Sequence, residues 1–132
     1  MEHRWFTVGA VVLSMLGAAP CVAQIEVTEA TITGLQQAMA SGRATSAGIV
    51  AAHLARIEAY DQGGPRLNAM IRVNPNALAE AEVLDRERAA GRVRGPLHGI
   101  PVILKDNYDT FDMPTSGGPL ALATSRPRHD AL

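Results

Sequence analysis

Lys105 is the only lysine in the chain; the other 11 of its 12 basic residues are arginine. It closes the run Ile100-Pro101-Val102-Ile103-Leu104-Lys105, and its chemistry depends on its protonation. An ammonium has no lone pair, so only the free amine can accept a proton. Burial in a low-dielectric pocket favours that neutral form. Two uses therefore stand open: a general base at the end of a buried strand, or a strand-end lysine reaching solvent. A carboxylate facing the amine would hold it charged, and Asp106 follows directly. On a regular strand, however, successive side chains point to opposite faces, so the two diverge.

Positioning Lys105 requires a sheet. Val102, Ile103 and Leu104 are consecutive apolar residues, which fits a strand covered on both faces. Pro101 fits its start, where no ladder donor is required. Open α/β sheets place their ligand crevices at the carboxyl ends of strands, where Lys105 would fall. A second, shorter strand is expected in Leu67-Asn68-Ala69-Met70-Ile71-Arg72-Val73, through Met70, Ile71 and Val73.

Three helices are legible from their ends. The first runs from Thr31 or Ile32 to Ser41, with Ile32, Leu35 and Met39 on one face and Gly42 to end it. Thr45 caps a second helix reaching Asp61, where Val50, Leu54 and Ile57 share a face. Asn74 as cap and Pro75 at the first helical position start the third, which ends near Ala90 before Gly91. On its outer side Glu82 and Arg86 sit four apart in the favourable order. The order helix, helix, strand, helix, strand predicts an α/β or α+β arrangement rather than a bundle. Gly91 to Leu132 is richer in turn residues and holds five of the 8 prolines.

Other polar residues have simpler readings. His53, between Ile49 and Ile57, has no second His, Cys or carboxylate at metal-ligand spacing and reads as a boundary-packed histidine. Arg86, Arg88, Arg92 and Arg94, interleaved with Asp85 and Glu87, read as a solvated helix end. No cofactor or metal motif is visible.

Composition narrows the classes further. Twelve Lys+Arg against 13 Asp+Glu leave a formal charge of −1, without the basic surplus of a nucleic-acid binder. With 47% hydrophobic and 19% charged residues, the chain is not a disordered charged tail. His3 and Arg4, an apolar stretch from Trp5 to Leu16, and Cys21-Val22-Ala23 before Gln24 read as an export signal over residues 1–23. An uncleaved membrane anchor is the alternative, but the apolar stretch is shorter than the roughly 20 residues that span a bilayer. Cleavage after Ala23 would remove the only cysteine, leaving no disulfide and no thiolate ligand. The expected location is periplasmic or secreted, with no membrane partner after cleavage.

The block Gly95-Pro96-Leu97-His98-Gly99-Ile100-Pro101-Val102-Ile103-Leu104-Lys105-Asp106-Asn107, with Met113-Pro114-Thr115-Ser116-Gly117-Gly118, resembles the lysine-bearing segment of the amidase signature family. The upstream run Gly64-Pro65-Arg66-Leu67-Asn68-Ala69 with Asn74-Pro75 is similar to that family's amino-terminal region. The resemblance covers essentially everything after the signal, so residues 24–132 are expected to be the N-terminal part of an amidase domain. It implies an incomplete α/β portion of the family's mixed-sheet fold with flanking helices.

The resemblance also implies a reaction: hydrolysis of a carboxylic amide by a Ser–cis-Ser–Lys triad, without a cofactor. Lys105 would be the catalytic base. Asp106 and Asn107 would order the strand end, and Thr115, Ser116, Gly117 and Gly118 would lie close to the pocket. The family's two triad serines follow several dozen residues after the lysine, so this chain is expected to stop before its nucleophile and to be inactive alone. Ser116 matches an earlier loop and lacks the strand-to-helix elbow of a nucleophile. Pro119 replaces a small polar residue common in the family. The expected partner is a small-molecule amide, in the complete enzyme. Two alternatives remain: a non-catalytic exported remnant or helical interaction module, and the amidase subunit of glutamyl-tRNA amidotransferase, which an export signal disfavours.

Overall fold

A computed structural model of the chain describes residues 25–131. The export signal over residues 1–23 lies outside the described residues. Three α-helices lead: α1 (Ile32–Ala40), α2 (Ser46–Arg56) and α3 (Ala77–Ala89). Past α2 the coil widens into a π-helical turn, Ile57–Gln62, and a short 3₁₀ turn follows late in the chain at Leu120–Leu122.

Local capping chemistry starts the first two helices. The Thr31 hydroxyl accepts from the Gly34 N–H at 3.0 Å, and Thr45 does the same for Gly48 at 3.0 Å. The glycines stop α1 and α3 through one pattern: the Arg43 N–H returns to the Ala38 carbonyl (2.9 Å) and the Arg92 N–H to the Glu87 carbonyl (2.8 Å). The third helix begins later than its sequence implies. Asn74 and Pro75 form a turn in which the Asn74 side-chain oxygen accepts from the Asn76 N–H at 2.8 Å, and Asn76 occupies the cap position. Asn74 thus bonds its own backbone two residues on, the Asx-turn alternative to a helix cap.

The apolar core is small and lies among the helices. Val27, Leu35, Ala38, Met39, Ala44 and Ile49 form it, with Ile25, Ala52 and Ile100 packed alongside. Helices α2 and α3 pack on each other, and α3 contributes Ala81 as its buried residue. On α1 the buried face is Leu35, Ala38 and Met39, whereas Ile32 is half exposed because it sits on the first, outward turn. On α2 the deepest residue is Ile49, fully buried, with Val50 beside it. His53 is half-buried at the helix boundary.

Two further links tie the helices together. The Asp85 carboxylate, on α3, accepts the backbone N–H groups of Ser46 (2.6 Å) and Ala47 (3.0 Å). It thereby satisfies two orphan donors of α2 and places a negative charge at the positive end of that helix dipole. Arg94 forms a two-pronged ion pair with Glu87 (2.7 and 2.5 Å). That pair holds the Glu87 carboxyl below the usual carboxylate range.

The expected strands do not form among the described residues. Segments 67–73 and 100–105 are irregular, with Asn68 at φ +50° and a bend at Ile71, and no ladder joins them. Val102, Ile103 and Leu104 are 61%, 75% and 54% exposed rather than covered on both faces. A helix closes its hydrogen bonds within its own segment, but a strand needs an aligned neighbour on each side to pair its N–H and C=O groups. The apolar run has a strand's side chains, but no segment is aligned to pair with it among the described residues. The mixed-sheet expectation is therefore not met among the described residues, and the described fold is helical with irregular connections.

Candidate active site

Lys105 lies on the wall of an open cleft of about 360 Å³. Ala69, Met70, Ile71 and Arg72 line it from one segment and Ile103, Leu104, Lys105 and Asp106 from the other. Tyr108, Thr110, Met113, Pro114 and Thr115 complete the lining. The two segments read as strands thus share one cleft without pairing. Lys105 itself is exposed, which corrects the expectation of an amine sealed inside a sheet.

Three anchors fix the cleft. The first holds the approach to Lys105 on the helices. His98 is 5% exposed and uses both ring nitrogens: Nδ1 accepts from the Arg94 N–H (3.3 Å) and Nε2 lies 2.9 Å from the Leu84 carbonyl. Because Nδ1 faces a donor, these contacts fit a ring that accepts at Nδ1 and donates from Nε2. The His98 carbonyl accepts from Gln36 on α1 and Arg88 on α3, each at 3.0 Å, and Arg88 also donates to the Gln36 side chain at 2.8 Å. Arg88 is accordingly a structural cross-link, not one more solvated arginine at a helix end. Gly99 follows at φ +79°, where a Cβ would stand 2.0 Å from the Ser46 hydroxyl. Only a residue without a side chain lets the turn lie this close to the start of α2.

The second anchor sits directly after Lys105. The Asp106 carboxylate accepts the Ser116 N–H (3.1 and 3.3 Å) and the Ser116 hydroxyl, while the Asp106 carbonyl accepts the Gly117 N–H at 2.7 Å. The Ser116 hydroxyl in turn accepts from the Gly118 N–H at 3.2 Å. Ser116 is 5% exposed, and its proton and a lone pair are both engaged in holding this loop. Donation from the Ser116 hydroxyl, then from its N–H, holds the Asp106 carboxyl below its ordinary range, helped by Gly118 and the charge of Arg72. Thr115 closes the loop through its hydroxyl to the Tyr108 carbonyl (3.2 Å) and its N–H to Ser125 (2.9 Å).

The third anchor supports the opposite wall. Asp61, 4% exposed in the π-helical turn, accepts from the Ala69 N–H at 2.5 Å, from the Met70 N–H at 3.4 Å and from Gln62 at 2.6 Å. It clamps the end of the 63–69 loop where that loop enters the cleft.

Of the residues singled out by sequence, Lys105, Asp106 and Thr115 meet in the cleft. Ser116, Gly117 and Gly118 join them through hydrogen bonds at Asp106 and Ser116. Asn107 is exposed and outside the lining. Sequence reasoning assigned no such roles to Asp61, Gln36, Arg88 or His98. An acidic residue two positions before a Gly-Gly pair was the only visible trace of the Asp61 clamp. Among the described residues, no group of three His, Cys, Asp or Glu side chains is arranged to hold a metal ion.

Comparison with known proteins gives one answer throughout. A family model described as Amidase matches residues 48–132. The amidase-named protein C869.01 of Schizosaccharomyces pombe is 45% identical over 113 residues, which are 85% of this chain and 19% of that protein. A glutamyl-tRNA(Gln) amidotransferase subunit of Chloroflexus aurantiacus is 39% identical over 107 residues, 80% of this chain and 21% of that protein. Among solved structures, the native peptide amidase of Stenotrophomonas maltophilia superposes with a TM-score of 0.75 at 51% identity, over 78% of this chain and 21% of that one. The chain thus spans about a fifth of the length of these relatives.

Proposed function

Because the chain belongs to the amidase family, we propose that it carries the lysine-bearing part of a hydrolase of carboxylic amide C–N bonds, with Lys105 as the base. The free amine of Lys105 takes a proton from a bridging serine, which takes one from the nucleophilic serine. The alkoxide attacks the amide carbonyl, the C–N bond breaks as the leaving nitrogen is protonated, and water then cleaves the acyl-enzyme. Both serines belong to a Gly/Ser-rich segment that the family places after the residues present here. In the complete enzyme, strands laid over Val102 to Leu104 would dry the surroundings of Lys105. Asp106 is a positioning residue in this scheme, with Ser116 holding it.

One observation carries the reading: Lys105 lines the cleft, and the backbone immediately after it is pinned by Asp106 to Ser116 and Gly117. The test is a chimera in which residues 24–132 replace the matching fifth of the S. maltophilia peptide amidase. Peptide-amide hydrolysis is expected, with a loss of roughly 10²–10⁴-fold on Lys105→Ala, the usual contribution of a positioned acid–base group. An active chimera indifferent to that substitution refutes the role of Lys105.

Export is part of the same reading, with residues 1–23 as the signal and a periplasmic or secreted mature protein. The likeness to an amidotransferase component favours a second reading, a cytosolic tRNA-dependent amidase. N-terminal sequencing of the expressed protein separates them: a start at Gln24 supports export, and a retained Met1 supports the cytosolic enzyme.

A further inference from the structure

The three helices converge on two residues that lie just ahead of Lys105. His98 and Gly99 are buried and Ile100 is half-buried, whereas residues 101–105 are exposed. From α1, Gln36 donates to the Pro96 carbonyl at 2.8 Å and to the His98 carbonyl at 3.0 Å. From α3, Arg88 donates to the same His98 carbonyl at 3.0 Å, and the Leu84 carbonyl meets the His98 ring at 2.9 Å. From α2, Ser46 packs so close to Gly99 that a Cβ there has no room. The other ring nitrogen accepts from the Arg94 N–H at 3.3 Å, which folds the chain after α3 back onto this turn.

Beyond Ile100 the grip stops. Among the described residues, the hydrogen bonds of residues 101–131 stay within that stretch, except that Arg72 donates to the Ala123 carbonyl. The clamp of Asp106 on Ser116 and Gly117 thus ties the loop after Lys105 to its own stretch and not to the helices. Where that stretch sits on the helical body is set chiefly at its root. Every backbone position left unpinned keeps its own φ and ψ freedom. Lys105 stands five residues past Ile100, so a small shift at the root reaches it enlarged.

Resting on the amide-hydrolase reading, we infer that His98 is a positioning residue for Lys105: its buried ring and its carbonyl fasten the root of the lysine-bearing segment to the helices. In this role the ring exchanges no proton with the substrate and acts only through the geometry of the base. A displacement of about 1 Å can cost about 100-fold in rate. Loosening the root therefore lowers turnover and leaves substrate affinity in place.

The full chain and the S. maltophilia chimera test this together. In the full chain, the NMR order parameter of the Lys105 amide is expected to fall in His98→Ala, while those of α1 to α3 hold. His98→Asn keeps an acceptor near the place of Nδ1 and should restore part of that order. In the chimera, His98→Ala should lower kcat on a neutral peptide amide by about 10- to 100-fold with KM unchanged, and His98→Asn by less. Val50→Ala controls for stability, because Val50 is buried on α2 but outside the cluster that Ile100 joins. It should lower the unfolding midpoint and leave kcat unchanged. If His98→Ala does not fold, His98→Asn against the parent carries the same readings. A rise in KM at constant kcat, an equal loss of kcat in Val50→Ala, or a Lys105 amide no more mobile in the His98 variants overturns the role of His98. An active chimera whose kcat ignores these variants removes the inference and leaves the hydrolase. An inactive chimera, beside a full chain whose order at Lys105 depends on His98, does the reverse.

Discussion

Residues 25–100 and residues 101–131 are both supplied with apolar side chains, yet they use them oppositely. In the first stretch Leu35, Met39 and Ile49 are 7%, 4% and 0% exposed. In the second, Ile103, Phe111 and Leu120 are 75%, 65% and 90% exposed, and Ser116 is the one buried residue among those described. The helical stretch closes on itself because its backbone is satisfied locally and its caps, Asp85 included, come from within. The later stretch is held by polar clamps at Asp106, Ser116 and Thr115, and its apolar residues remain exposed. Hydrophobicity supplies the drive to bury; backbone pairing decides where burial can happen.

Substitutions can break this contrast. The largest effect is expected from Ile49→Ala, which opens a cavity in the helical core and should cost about 2–5 kcal/mol in urea unfolding. Ile103→Ala in the same assay should change stability by less than about 0.5 kcal/mol. Comparable losses at both sites would mean that residues 101–105 already belong to the core. Next comes Asp85→Ala, which removes both acceptors at the start of α2 and should cost about 1–2 kcal/mol, as lost caps do.

Smaller and confined to the second stretch is the effect of Ser116→Ala. It should raise amide exchange at residues 116–118 while leaving α1 to α3 unchanged. The Asp106 carboxyl is depressed in the folded loop, so its contribution is fully present above the unfolded value of about 3.9. That contribution is lost as pH falls through the lower folded value. Protection at Gly117 should therefore weaken only in that acidic window, and Ser116→Ala should shrink the dependence. Smallest of all, Glu82→Ala breaks an i,i+4 pair whose side chains are both exposed, and unfolding should move by no more than about 0.5 kcal/mol.

Legibility in the sequence followed the range of the interactions. Thr31, Thr45, Gly42 and Gly91 each announced a helix boundary, because caps and stops act between residues close in the chain. The start at Asn74-Pro75 misled by two positions, since an asparagine can bond its own turn as readily as cap a helix. Lys105, Asp106 and the Thr115–Gly118 loop stood out by type and by the block they resemble. The His98 clamp did not, because its partners Gln36, Leu84 and Arg88 lie 62, 14 and 10 residues away.

The sequence by itself determined the helices, the short apolar run and the single lysine that ends it, because each rests on side-chain type and neighbours along the chain. Tertiary structure alone decided that Asp85 caps another helix, that Asp61 clamps a distant loop, and that Val102 to Leu104 lie exposed beside Lys105. Those outcomes depend on which backbone and which carboxylate come within about 3 Å of each other in space, a matter that no local pattern encodes.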